Sequence, residues 1–287
     1  MSDTTSGLRR QISSAHELGT VVRALKAMAA SSIARYEAAV QALDDYERSI
    51  ELGLSLCLRQ QGAGASRATT RQSQPIRAVV FGSDQGLVGR FNETVAELAV
   101  QTLSAFPQPK QVWVVGERVI PQLEDAGLAV TQRFVLPSSI DGIAALIARI
   151  QLRVETGVVA PVHVFHNRPL PAAQYEPVSR KLLPLDDAWR ARVSAIPWPG
   201  KSLPQILGGA SEGALAAFVH EHLFIALYKA CAQSLAAENS SRLAAMQRAQ
   251  KNIEDLSITL GQRFNRTRQS SIDAELFDVI AGFSALS

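Results

Sequence analysis

Three groups of residues in this 287-residue sequence could carry chemistry. The first is FGSDQGLVGRFN at 81–92, with glycines at Gly82, Gly86 and Gly89. It lies between an apolar, valine-rich run and a helical pattern, where α/β folds hold phosphates on the free amides of a helix start. The spacing is not G-x-G-x-x-G, and no Gly-Lys-Ser/Thr follows. A tight turn in which Asp84 or Asn92 supplies capping hydrogen bonds suits these residues better. The second group is the histidines. His163 and His166 fall at an odd spacing on an expected strand, and His220 and His222 are two apart on an expected helix, so each pair points to two faces. Neither has the geometry of a metal site, and ordinary core or surface histidines are expected. The third group is Cys57, Cys231 and the pair Asp186-Asp187. The cysteines have no histidine beside them in sequence, so nucleophilic catalysis has no visible support. The aspartates read as a solvated loop. No catalytic residue, cofactor site or metal site is expected.

The elements that would position these residues follow from the prolines. All 13 lie between Pro75 and Pro204. Proline inside a helix costs about 3 kcal/mol, so the proline-free ends read as helices around a compact middle. The flexible composition of 60–75 marks one boundary, and Pro197 through Pro204 marks the other. The expected division is a coiled-coil helix over 1–60, a central α/β domain over 75–204, and a second coiled-coil helix over 205–287. In the first arm Leu8, Ile12, Ala15, Leu18, Val22, Leu25, Ala29, Ile33, Tyr36, Val40 and Leu43 step by three or four. In the last arm Leu215, Val219, Leu223, Leu227, Cys231 and Leu235 step by four. Met246, Ala249, Ile253, Leu256 and Leu260 then form a 3-4 seam, which Ile272, Leu276, Val279, Ile280 and Phe283 carry toward the end. One helix over 210–286 would be ~115 Å long and would need the other arm as its partner. Asn239-Ser240-Ser241, three poor helix formers, is where it could break. The middle alternates strand (76–82, 111–116, 128–135, 158–167) and helix (91–105, 117–126, 140–157), which predicts a mostly parallel, helix-covered sheet. Residues 177–195 could add an edge strand.

Composition excludes several classes. Hydrophobic residues at 47% give enough material for a core, and charged residues at 19% argue against wholesale disorder. A net charge of +3 does not suggest a general nucleic-acid binder. Two cysteines make no disulfide framework. No uninterrupted run of about 18 apolar residues is present, so no membrane span is expected. The opening MSDTTSGLRR lacks a signal-peptide pattern, and the cytoplasm is the expected compartment. Basic residues gather on the arms: Arg9, Arg10, Arg23, Lys26 and Arg35 against Glu17, and Arg242, Arg248, Lys251, Arg263, Arg266 and Arg268 against Glu254 and Asp255. A solvated helix face and a basic rod held inside a partner both fit this pattern.

The sequence resembles the gamma subunit of the rotary F-type ATP synthases. SRLAAMQRAQKNIEDL at 241–256 and FNRTRQSSIDAELFDVIAGFSAL at 264–286 carry the most specific likeness. GSDQGLVGRFN at 82–92 and LRRQISSAHELGTVVRALKAMAASSI at 8–33 are similar to the family's middle turn and first helix. Leu25, Ser32, Val88, Arg90 and Asp273 depart from the family's usual residues and point to a divergent bacterial branch such as the sodium-type ATPases. The resemblance implies an antiparallel coiled coil with a Rossmann-like domain. It also implies a non-catalytic rotor shaft that couples ion (for example hydrogen-ion) transport to ATP synthesis or hydrolysis. The implied partners are the alpha and beta subunits of the head, the epsilon subunit and the membrane c-ring, at the cytoplasmic face of the bacterial inner membrane. The implied partner contacts are Arg242, Arg268, Gln269 and Glu275, with Leu25, Arg9 and Arg10. Two other readings remain at this point: a nucleotide-dependent α/β enzyme with helical extensions, and a cytoplasmic coiled-coil scaffold.

Overall fold

The structure is a computed structural model that describes residues 4–61, 74–155, 160–171, 173–202 and 211–284. The connection at 60–75 and the boundary at 197–204 lie partly outside those residues. The chain divides into two compact units, Met1–Ala29 with Arg242–Ser287, and Ala30–Ser241. Two helices contribute to both units: α1 (Thr5–Ala42) and α7 (Ser211–Ser284). α2 (Asp44–Gln61) follows α1 after a turn at Leu43.

In the Ala30–Ser241 unit, β1 (Ile76–Phe81), β2 (Lys110–Val115), β3 (Val130–Phe134), β4 (Val162–Leu170) and β5 (Gln174–Leu183) form one sheet in the order β3-β2-β1-β4-β5. β1 pairs in parallel with β2 and β4, and β2 with β3. β5 closes one edge antiparallel to β4, so the ambiguous stretch does supply an edge strand. All six residues of β1 are buried, because both faces are covered. Side chains alternate between those faces with the strand period of two. Val79, Phe81, Trp113, Val115 and Val164 meet α5 (Ile140–Glu155) and α7 through Ile143, Ile147, Ile150, Leu227, Cys231 and Leu235. Ala78, Val80, Val112, Val114 and Phe165 meet α3 (Phe91–Ser104) and α4 (Ile120–Asp125) through Val95, Ala99, Leu103 and Leu123. Each large side chain buried this way contributes about 1.5–3 kcal/mol. α6 (Asp187–Ser194) packs Val193 against Ile50 and Leu54 of α2 and Ile225 of α7. Asp186 is not a loop ornament: its side chain accepts from the Trp189 amide at 2.7 Å and caps α6, while Asp187 opens the helix.

α7 runs unbroken through Asn239-Ser240-Ser241. Ser240 and Ser241 are buried, Asn239 donates to the Leu235 carbonyl, and Ser241 Oγ donates to the Val88 carbonyl. Tertiary packing and local hydrogen bonds override the weak propensity. One 18-residue stretch within Gly213–Ala281 reaches a mean hydropathy of 1.2, apolar enough by length and composition alone to cross a bilayer. Leu223, Ile225, Leu227 and Cys231 of that helix are buried in the core, and 39% of the stretch is buried.

In the other unit α1 and α7 pair antiparallel, with a seam that differs from the expected one by single residues. Leu8, Ala15, Val22 and Ala29 are buried at strict intervals of seven, and Gly19 is buried between them. Leu18 is 56% exposed. On α7, Met246 and Leu260 are buried while Leu256 is 49% exposed, and Gln250 and Ser257 take half-buried positions. A coiled-coil seam repeats every 3.5 residues, which selects Gly19 and Ser257 over their larger apolar neighbours. Ile253 faces Gly19 across the seam: a Cβ at Gly19 would lie in ordinary contact, 3.6 Å from Ile253 Cγ2. Lys26 donates to Gln250 Oε1 at 3.2 Å, a polar pair of the kind that fixes register. The seam does not extend as expected through the C-terminus. Ile272, Leu276, Val279 and Ile280 are each more than half exposed. Leu8 packs near Leu260 and Phe264, so an antiparallel partner for Leu276 would have to precede the first residue of α1. Phe283 lies where no side chain is described.

Candidate functional site

The turn at 81–92 spends its polar groups on the fold. Asn92 Oδ1 accepts from the Ser83 amide at 2.9 Å, and its Nδ2 donates to Ser83 Oγ at 3.0 Å. Asp84 Oδ1 accepts from the Glu117 amide at 2.8 Å and Oδ2 from the Leu136 amide at 3.1 Å. Asp84 thus ties the ends of β1, β2 and β3 together. Opposite it Gly116 adopts φ +94°, and a Cβ there would stand 2.9 Å from the Gly82 carbonyl carbon.

His163, His166 and His222 are core residues, whereas His16 and His220 are exposed. His163 lies against Phe106 at 5.4 Å between centroids. His166 bonds Gln233 at 2.9 Å, and His222 packs on Trp189. Burial pushes His166 and His222 down to about 4. Burial also raises Cys57 and Cys231 above the usual thiol range, the opposite of what a nucleophile needs. Among the described residues no group of three or more His, Cys, Asp or Glu could hold a metal ion.

Four of the seven expected contact residues do come together. Arg9 and Arg10, from the first turns of α1, line a groove with Arg268 and Glu275 of α7. Thr5, Ser6, Phe264, Ser271 and Ile272 complete its walls. The Arg9 guanidinium lies 5.5 Å above the Phe264 ring, which holds it in place. α1 has no acidic residue in its first turn, so its positive dipole end adds to the arginines. Three guanidiniums against one carboxylate make a surface suited to acidic side chains or carbonyls. Gln269 is exposed but is not part of the groove wall. Leu25 and Arg242 are half-buried farther along the helices. From Arg242 to Arg268 the helix rises roughly 39 Å, so the seven residues are spread along a surface and do not form one site. Sequence spacing missed Thr5, Ser6, Ser271 and Phe264, whose membership depends on where the two helices meet.

Comparison with known proteins gives a consistent picture. The ATP synthase gamma chain of Frankia casuarinae is 29% identical over 291 residues, spanning 97% of this chain and 96% of that one. The gamma chain of Desulforamulus reducens is 26% identical and spans 97% and 98%. A family model described as ATP synthase matches residues 4–286. The chain belongs to the ATP synthase gamma family. Among solved structures, the rotor of Euglena gracilis mitochondrial ATP synthase in rotational state 1 aligns with TM-score 0.60 at 15% identity, covering 93% of this chain and 98% of that one. The OSCP/F1/c-ring assembly of the same enzyme in rotational state 3 gives TM-score 0.65 at 17% identity, covering 98% and 94%. Those likenesses establish the gamma-family fold: long terminal helices and a five-stranded mixed sheet.

Proposed function

We propose that this gamma-family chain is the non-catalytic rotor shaft of a bacterial F-type ATP synthase. In this reading it couples ion movement through a membrane c-ring to ATP synthesis or hydrolysis in a head of alpha and beta subunits. The epsilon subunit is a further partner, and the complex sits at the cytoplasmic face of the inner membrane. The 1–60, 75–204 and 205–287 segments then act as shaft strand, foot and shaft strand. A shaft works as a ligand that binds three conformations of its surroundings unequally, and its turning redistributes their populations.

The observation that carries the reading is the groove of Arg9, Arg10 and Arg268 beside Glu275, on a helix pair with an exposed apolar end. Arginine forks hold carboxylates bidentately, and such contacts count for more once water is excluded. The test is Arg268→Ala with Gln269→Ala in the assembled complex. Impaired assembly or turnover, with the isolated chain's helicity nearly unchanged, is the expected result. Unchanged ATPase and ion-pumping rates in an assembled double variant would remove these residues from the mechanism. The isolated chain is expected neither to hydrolyse nor to bind ATP tightly, and micromolar binding by calorimetry would favour an enzyme instead.

A further inference from the structure

A cavity of about 240 Å³ lies within the Ala30–Ser241 unit, bounded by β4, β5, α2 and α7. Its polar walls are Glu47, His166, Arg180, Lys229 and Gln233. A single water needs only about 10–15 Å³, so the space admits a small molecule. A helix-on-sheet interface normally closes with apolar side chains, and here several polar groups are not used up. His166 is 4% exposed, and its Nε2 meets Gln233 Oε1 at 2.9 Å. An amide oxygen only accepts, so Nε2 carries the hydrogen and Nδ1 is left as an acceptor. That Nδ1 is buried and has no partner among the described residues. Burial keeps the ring neutral at pH 7, with Arg180 and Arg168 acting in the same direction. Arg180 pairs with Val164 through its backbone, while its side chain is exposed on the edge strand and makes no hydrogen bond or ion pair among the described residues. Lys229 donates to Asp44 and Glu47, each at 2.6 Å, which leaves one of its three N–H groups.

We propose that this cavity binds a small oxyanion that still carries one proton, of which hydrogen phosphate is the simplest. The free guanidinium fork takes two bare oxygens. The protonated oxygen donates to His166 Nδ1, and the spare Lys229 N–H takes another lone pair. An anion without a proton leaves His166 Nδ1 facing an oxygen, two acceptors with no hydrogen between them. The site therefore discriminates phosphate from sulfate, which has the same shape and no proton at neutral pH. The proposal is independent of the rotary reading.

The experiment titrates the full chain at neutral pH with inorganic phosphate, and separately with sulfate, by calorimetry and by phosphorus NMR for phosphate. One saturable phosphate per chain is expected, with sulfate weaker by about tenfold or more, the usual consequence of an unmatched buried acceptor. Arg180→Gln on the edge strand is expected to weaken phosphate by about tenfold, with unchanged circular dichroism. Absence of saturable binding at millimolar phosphate would mean that the cavity holds water only and would overturn the proposal. So would equal binding of sulfate, or phosphate binding unaltered in Arg180→Gln.

Discussion

Replacing Lys229 with methionine tests how the α1–α2 elbow is held to α7. The residue is 9% exposed, and its ammonium lies 2.6 Å from Asp44 Oδ1 and from Glu47 Oε2, both in the first turns of α2. Desolvation lowers its pKa, but the hydrogen bonds and charges of Asp44 and Glu47 outweigh this and raise it above 10.5. Methionine keeps the stem and removes the charge. The Asp44 side chain is 62% exposed, so its share is about 0–1 kcal/mol. The Glu47 side chain is 21% exposed and loses a charge-assisted bond worth about 1.5–3 kcal/mol. The expected total is about 1.5–4 kcal/mol. Urea unfolding followed by tryptophan fluorescence reads it, because Trp113, Trp189 and Trp198 all lie in the Ala30–Ser241 unit. A raised folded-state pKa gives stability that is complete below 10.5 and lost as pH climbs through the folded value. The gap between wild type and Lys229→Met should therefore narrow above pH 10.5. A loss under about 1 kcal/mol, or an equal loss in a Glu47→Gln background, would refute the reasoning.

Three further outcomes are expected. His166 and His222, lowered from 6.5 to about 4 by burial, contribute stability that is present above pH 6.5 and lost as pH falls through 4; each contributes at most roughly 3 kcal/mol, and imidazole NMR resonances titrating near 6.5 would contradict it. Gly19→Ala should raise thermal stability by about 0.5–1 kcal/mol, because the added Cβ meets Ile253 and Arg23 only at 3.6 Å; a fall would show that the seam needs closer approach. Asp84→Ala strands the Glu117 and Leu136 amides and should cost about 1–2 kcal/mol in chemical denaturation, with Asp84→Asn recovering part of it.

The sheet was legible because β1, β2 and β4 are short valine-rich runs between turn signals, and a strand buried on both faces has few alternatives. The helical arms were legible from proline's absence and apolar spacing. What eluded the pattern was phase. Leu18 and Leu256 look like seam residues by composition, but the supercoil period puts Gly19 and Ser257 inward, and a glycine carries no hydrophobic signal. The continuity of α7 at Asn239–Ser241 depends on the Val88 carbonyl, 153 residues away in sequence. The groove of Arg9, Arg10 and Arg268 was half legible as basic excess on both arms; which arginines meet depends on helix register. The cavity beside His166 had no sequence signal, since Glu47, Arg180, Lys229 and Gln233 come from separate elements.

The antiparallel pairing of α1 with the end of α7 also bears on how the chain is made. Leu8 leaves the ribosome early, and its neighbour Leu260 follows only after about 250 further residues, roughly 10–50 s of synthesis. Throughout that interval the heptad face of α1 has no native partner, whereas the strands of the sheet can begin to pair once β1, β2 and β4 have emerged. The nascent protein must therefore carry a sticky amphipathic leader past a folding domain. Until the last helix arrives, that face is open to any other apolar partner.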